Sequence, residues 1–150
     1  MSKFVQAFLS GIFFTFFLDF FLFLGIKLNY IDFYNIDLYY NILFSDNQNI
    51  YIYLIFSAIF GFLITYVNKT KLSIIVIGGL FVLTLTTLIP QIGNKVGFMI
   101  LATQNVSFHD TRYTYQGDIY YDGRKQITFY DYELKKIITL NKKDLIDLPN

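Results

Sequence analysis

Asp19 is the residue whose chemistry stands out first. It lies in FVQAFLSGIFFTFFLDFFLFLGI, a run from Phe4 to Ile26 in which it is the one charged residue. A carboxylate in hydrocarbon is costly unless it is paired or wet, so an ionisable side chain there marks function by default. It could relay protons, bind a cation or lock onto a basic helix of a partner subunit, and partner contact is the role favoured here. The bland alternative is that Asp19 sits about four residues outward of the centre of the run, roughly 6 Å along a helix, and reaches the headgroup region. The other apolar runs hold no Lys, Arg or His to pair with it. Thr15, one turn earlier, could hydrogen-bond to it.

The remaining candidates are weaker. His109 beside Asp110 is the single histidine. A metal site usually needs three or four ligands, and a triad needs a poised nucleophile and an orienting group, so His109 reads as a connecting-loop residue. Asp118, Asp122 and Asp131 lack the liganding order of a calcium loop, and turn and edge roles account for them. With no cysteine, disulfides, thiol chemistry and Cys-based zinc sites are excluded. A net charge of +1 gives no reason to expect nucleic acid. No cofactor, metal or catalytic activity is therefore expected. The pairs Arg124-Lys125, Lys135-Lys136 and Lys142-Lys143 suggest a basic rim for anionic headgroups or an acidic partner, though charges on strand edges also block unwanted pairing. Edge protection is the favoured reading. Tyr113, Tyr115, Tyr121, Tyr130 and Tyr132 form an aromatic strip, part of which must supply a core.

Composition places these residues in a membrane protein. The chain is 55% hydrophobic, 21% aromatic and only 15% charged, with eighteen Phe and thirteen Tyr, whereas a soluble domain carries about a quarter charged residues. The stretch Leu72 to Pro90 belongs to a charge-free run ending at Asn94, long enough to cross a core of ~30 Å. Ile50 to Val67 is a second predicted span. Phe4 to Ile26 is the first, an uncleaved anchor, because its apolar run exceeds that of a signal peptide and no small-x-small site follows. Its many Phe, Leu, Ile and Val, each worth roughly −0.3 to −0.6 kcal/mol, outweigh about +3 for Asp19.

Residues 28–49 carry Asp32, Asp37 and Asp46 with no Lys or Arg. Either a short interfacial helix or an extended aromatic loop packed on the bundle fits this segment. Ser57 and Gly61 form a small-xxx-small pair that Gly78-Gly79 could receive, unless these glycines reflect only the general abundance of Gly in membrane helices. Lys3, Lys69 and Lys71 mark the cytoplasmic side under the positive-inside rule and turn the 28–49 loop outward, with Lys27 voting the other way.

After Pro90 the period changes. QIGNK reads as a turn-like connector, and VGFMILAT as either a first strand or a helical continuation. Tyr113, Tyr115, Gly117, Ile119 and Tyr121 alternate on one face, as do Ile127 and Phe129, which is strand periodicity. Asp122-Gly123 is the strongest hairpin signal. A last strand is expected around Lys136 to Leu140, and Lys142 to Leu148 as a helical turn or closing edge segment.

The expected architecture is an α-helical transmembrane anchor of three spans (1–94, with the outer loop 28–49) followed by a small antiparallel β domain (95–150) outside the cytoplasmic membrane of a bacterium. The function expected is a non-catalytic accessory or structural subunit of an envelope complex, its partners being other membrane subunits and lipid, with homo-oligomerisation possible. The alternative is an oligomeric transport or proton-coupling component that uses Asp19.

Overall fold

A computed structural model describes residues 2–67, 70–110 and 112–147. The chain divides into two compact units, Met1–Asn94 and Lys95–Asn150.

The first unit is helical. α1 covers Lys3–Ile26 and runs on through a wider π turn, Lys27–Ile31. It starts where the Ser2 hydroxyl accepts the Val5 N–H, an N-cap that satisfies one of the orphan donors of the first turn. The combined helix of 29 residues is about 44 Å long, well over the hydrocarbon thickness. α2 (Tyr40–Asn47) and α3 (Ile50–Thr65) follow, then α4 (Thr70–Leu85) with a 3-10 turn at Thr86–Leu88. α1 and the Thr70–Leu88 helix are long and apolar enough to cross a membrane; α2 and α3 together make a third such segment only if their 85° bend lies within one span. The second span thus differs from expectation. Its helix starts at Ile50 as expected, where the Asn49 side chain caps it by accepting from Tyr51 and Ile52 N–H, but it ends at Thr65 rather than Val67 and has 16 residues, about 24 Å. Asn68 and Lys69, which the topology reading uses, lie outside the described residues.

The 28–49 segment holds a short helix and packs in part on α1. α2 packs on α1: Phe44 meets the rings of Phe16 and Phe23 and Tyr40 donates to the Phe20 carbonyl over 3.1 Å, while Tyr30, Ile31, Ile36 and Leu43 are buried and Phe33 and Tyr39 are exposed. Lys27 is ion-paired with Asp32.

The partner of the Ser57/Gly61 face is α1, not α4. A Cβ on Gly11 would lie 1.9 Å from the Ser57 carbonyl oxygen, and one on Gly61 would lie 2.3 Å from that of Ala7. Ala7 and Gly11 are themselves a small-xxx-small pair, and small residues let backbones approach where the solvent supplies no hydrophobic force. A Cβ added on Gly78 or Gly79 would meet no described atom within 4 Å beyond its own helix. Leu18, Phe60 and Ile77 form the interior of this unit, with Phe14, Leu63 and Phe81 against them.

QIGNK is helical rather than a turn. α5 covers Pro90–Leu101, with proline in the first turn, where the missing N–H costs nothing and the ring fixes a helical φ. The break before it is bound to α1: Asn29 Nδ2 donates to the Thr87 carbonyl at 2.9 Å and Asn94 Nδ2 to the Asn29 carbonyl at 3.1 Å. Of the two readings of VGFMILAT, the helix holds as far as Leu101.

The second unit is a five-stranded antiparallel sheet in the order β4-β3-β2-β1-β5. Its strands are β1 (Thr103–Asp110), β2 (Thr114–Asp122), β3 (Gln126–Asp131), β4 (Lys136–Asn141) and β5 (Leu145–Ile146). A 3-10 turn at Lys142–Asp144 leads from β4 to β5, which closes on β1, so the 142–148 segment holds both forms expected of it; Leu148 lies outside the described residues. Val106, Phe108, Ile119, Ile127 and Phe129 are the core, with Tyr115, Ile138, Leu140 and Leu145 around it. Gly117 makes room for this core, since a Cβ there would meet the Tyr130 carbonyl oxygen at 1.9 Å and the Phe129 ring at 2.8 Å.

The β2–β3 turn is displaced from its expected place. Gly123 N–H donates to the Gln126 carbonyl at 3.0 Å, so Arg124 and Lys125 occupy the turn and Gly123 flanks it. Gly123 does not have a positive φ. The left-handed residue is Lys135, φ 51°, in the β3–β4 turn. There the buried Asp131 carboxylate accepts from Glu133 and Leu134 N–H, a side-chain turn that favours the tight reversal.

Candidate functional site

Asp19 is half-buried on α1, and its Oδ2 accepts a hydrogen bond of 2.9 Å from Gln48 Nε2. Gln48 stands in the break between α2 and α3, so the bend between them brings its amide to Asp19, in the second half of α1. A search for bases within the apolar runs overlooks this partner; the signal was a long polar side chain in Ser45-Asp46-Asn47-Gln48-Asn49 flanking a span. A neutral amide serves either protonation state of the carboxyl. A hydrogen bond to a charged group contributes about 1.5–3 kcal/mol, comparable with the cost of about 3 kcal/mol for an acid near the centre of a membrane helix. Gln48 therefore offsets much of what Asp19 costs.

Beside Asp19 is a cavity of about 200 Å³. Thr15 and Leu18 of α1, Tyr53 and Phe56 of α3 and Thr84 of α4 line it. At ~30 Å³ per water molecule it has room for a small cluster. Tyr53 donates its hydroxyl to the Ile12 carbonyl at 3.0 Å and Thr84 to the Phe81 carbonyl at 2.9 Å. Thr15 does not bond to Asp19; it is 2% exposed and its hydroxyl has no partner among the described residues. The arrangement can hold a proton on Asp19, solvate a small cation or present the carboxyl to a basic group of another chain.

The β unit keeps the other candidates apart. His109 lies within β1 rather than a connecting loop, paired in register with Thr114 and Ile146, and its Nδ1 is 3.7 Å from Asp147. Asp110 caps the β1–β2 turn: its Oδ1 accepts from Arg112 and Tyr113 N–H at 2.6 Å each, its Oδ2 from the Tyr115 hydroxyl at 2.9 Å. The Arg112 and Tyr113 amides hold its carboxyl below the usual range. Burial, and then the bond to Asp110, raise the Tyr115 phenol. Asp118 accepts from Asn105 N–H and the Tyr132 hydroxyl, and that second bond raises the Tyr132 phenol. Asp122 pairs with Lys142 at 2.5 Å. Asp118, Asp122 and Asp131 thus each have a structural partner, and among the described residues no group of three or more His, Asp or Glu could hold a metal ion.

The tyrosine strip is split. Tyr121 is buried and Tyr115 packs on the core, while Tyr113 is exposed. Tyr130 instead stacks on Tyr120, which meets Phe98 of α5. The basic pairs are split as well. Arg124, Lys125, Lys142 and Lys143 converge on one cavity, at the end of the β3–β4 ladder where Gln126 pairs with Asn141, and Lys135 and Lys136 lie at its other end, where Asp131 pairs with Lys136.

Comparison with protein-family models, with curated proteins and with solved structures returns no match for this chain.

Proposed function

We propose that this protein is a non-catalytic accessory or structural subunit of a bacterial membrane complex, anchored by its helical unit and presenting its β unit outside the cytoplasmic membrane for protein–protein contact. The observation that carries the reading is the division at Asn94: an apolar helical unit joined to a separate, small antiparallel sheet. Around 55 residues is near the lower limit for a core without disulfides or metals, so the sheet gains from a partner. Lys3 and Lys71 favour an inner amino terminus, and Lys27, the cation that argued otherwise, is held by Asp32. Purification in mild detergent tests the subunit role. A discrete hetero-complex of fixed composition is the expected result, and a pure homo-oligomer would overturn it.

The second reading, an oligomeric transport or proton-coupling component, draws on the cavity beside Asp19 and the Thr15 hydroxyl, unpartnered among the described residues. Three helices are too few for an ordinary alternating-access carrier, so this reading requires several copies.

A further inference from the structure

We propose that the cationic cradle formed by the β2–β3 turn and the 3-10 turn after β4 binds the phosphate of anionic phospholipid headgroups. This rests on the membrane anchor and not on the subunit role. The cradle is a cavity of about 450 Å³ lined by Arg124, Lys125, Asn141, Lys142, Lys143 and Asp144. Its two halves come from different turns and are joined by hydrogen bonds and an ion pair. Lys142 N–H donates to the Lys125 carbonyl at 3.0 Å, Gln126 Nε2 to Asn141 Oδ1 at 3.0 Å, and Lys142 Nζ pairs with Asp122 at 2.5 Å. Among the described residues, the four cations of the lining stand against one lining acid, Asp144, and against Asp122 paired with Lys142, which leaves an excess of positive charge.

Edge protection explains a different pair. Lys136 opens β4, an edge strand of the sheet, where a lysine discourages pairing with other chains. Arg124, Lys125, Lys142 and Lys143 occupy turns and guard no strand edge. Holding them together is unfavourable by mutual repulsion and becomes favourable when an anion with several acceptor oxygens enters. Phosphate suits this role, since arginine and lysine donate charge-assisted hydrogen bonds to it.

Chain connectivity and apolar exposure select lipid as its source. The β unit follows a segment long and apolar enough to span, with the twelve-residue α5 between, so headgroups are present at high effective concentration. Within the β unit, α5 also exposes Met99 by 82% and Ile100 by 48%. β1 begins at the cradle end of the sheet, Thr103 being paired with Ile119, three positions before Asp122. Large exposed apolar side chains near a basic cluster are what an anionic bilayer surface accommodates.

The test uses the full chain in nanodiscs of phosphatidylcholine alone or with phosphatidylglycerol added to make the surface anionic. Lysine acetylation by a water-soluble reagent is followed by mass spectrometry. Lys125, Lys142 and Lys143 should react about five-fold more slowly in the anionic discs, and Lys135 and Lys136 should serve as unaffected internal controls. The difference should vanish at high salt. In K125Q/K143Q, both surface changes, Lys142 should lose its lipid dependence. Equal rates in the two discs would overturn the proposal, as would equal slowing at Lys135 and Lys136, which reports only a diffuse surface potential. Protection by inorganic phosphate in phosphatidylcholine discs as strong as that by phosphatidylglycerol would assign a free-phosphate site instead. Protection confined to preparations that retain an acidic protein would assign the cradle to that protein.

Discussion

Gln48 and Asp19 are 29 positions apart in sequence and share one hydrogen bond of 2.9 Å, reaching from the α2–α3 break to the second half of α1. This contact makes an acid inside the first apolar helix tolerable, and it yields the first prediction. Q48L should lower thermal stability in detergent by about 1.5–3 kcal/mol, since it strips the carboxyl of its donor. D19L/Q48L should regain most of the loss, because removing both polar partners is nearly neutral. If D19L also loses a co-purifying subunit while D19N loses it only partly, Asp19 serves assembly. Abolished transport activity in both variants with assembly intact would favour proton or ion coupling. Full partner recovery and growth with D19L would make Asp19 a bystander.

The α1–α3 crossing is the second. G11L and G61L each place a side chain where backbone carbonyl oxygens already stand within 1.9 and 2.3 Å of the Cβ position, so each should cost at least about 1–3 kcal/mol by overpacking. G78L should leave the folded chain unaffected, as no described atom beyond its own helix lies within 4 Å of the Cβ position. Size-exclusion chromatography after heating separates these outcomes. Wild-type behaviour from G11L would refute the crossing.

Turn chemistry supplies the third. K135G relieves a left-handed residue that costs about 1–2 kcal/mol in a non-glycine while adding about 0.5–1 kcal/mol of chain entropy. It should be neutral or slightly stabilising, and K135V should destabilise. G123V should also weaken the sheet, through its close approach: a Cβ there would lie 2.8 Å from the Gln126 carbonyl oxygen. Protease resistance of the carboxyl-terminal unit in the full chain reads all three, and a stable K135V would contradict the turn geometry.

A fourth prediction concerns acid. Asp110 is held below its ordinary pKa by the Arg112 and Tyr113 amides, so its contribution to the turn is fully present above the unfolded value of about 3.9. It is lost as pH falls through the lower folded value. Amide exchange at Arg112 and Tyr113, corrected for intrinsic rates, should lose protection over that window. In D110N the protection at neutral pH should be weaker and the acid transition absent. A transition unchanged by D110N would place the titrating group elsewhere.

Topology is the fifth. Single cysteines introduced at Ser45, Thr70 and Asn141 should label from outside at the first and last positions and at Thr70 only after permeabilisation. Labelling of Asn141 solely after permeabilisation would remove the outward orientation of the sheet.

Hydropathy and period are local properties, and what depends on them was legible in the sequence. Leu72 to Pro90 is long and apolar enough to mark a membrane span, and the alternation of Gly117, Ile119 and Tyr121 puts one face inside whichever strands flank it. Choice of partner depends on atoms far away in sequence, and the tertiary structure decided it. Ala7 and Gly11, rather than Gly78 and Gly79, received the Ser57/Gly61 face because helix association in an apolar medium rewards closest backbone approach, which no single helix reveals. Gln48 met Asp19 because the α2–α3 break redirected the chain, and Arg124-Lys125 met Lys142-Lys143 because the pairing of Gln126 with Asn141 brought two turns together. The helical state of QIGNK was obscured for a related reason: Gly, Asn and Gln are weak local cues, and Pro90 at a helix start together with the Asn29 and Asn94 contacts outweighed them.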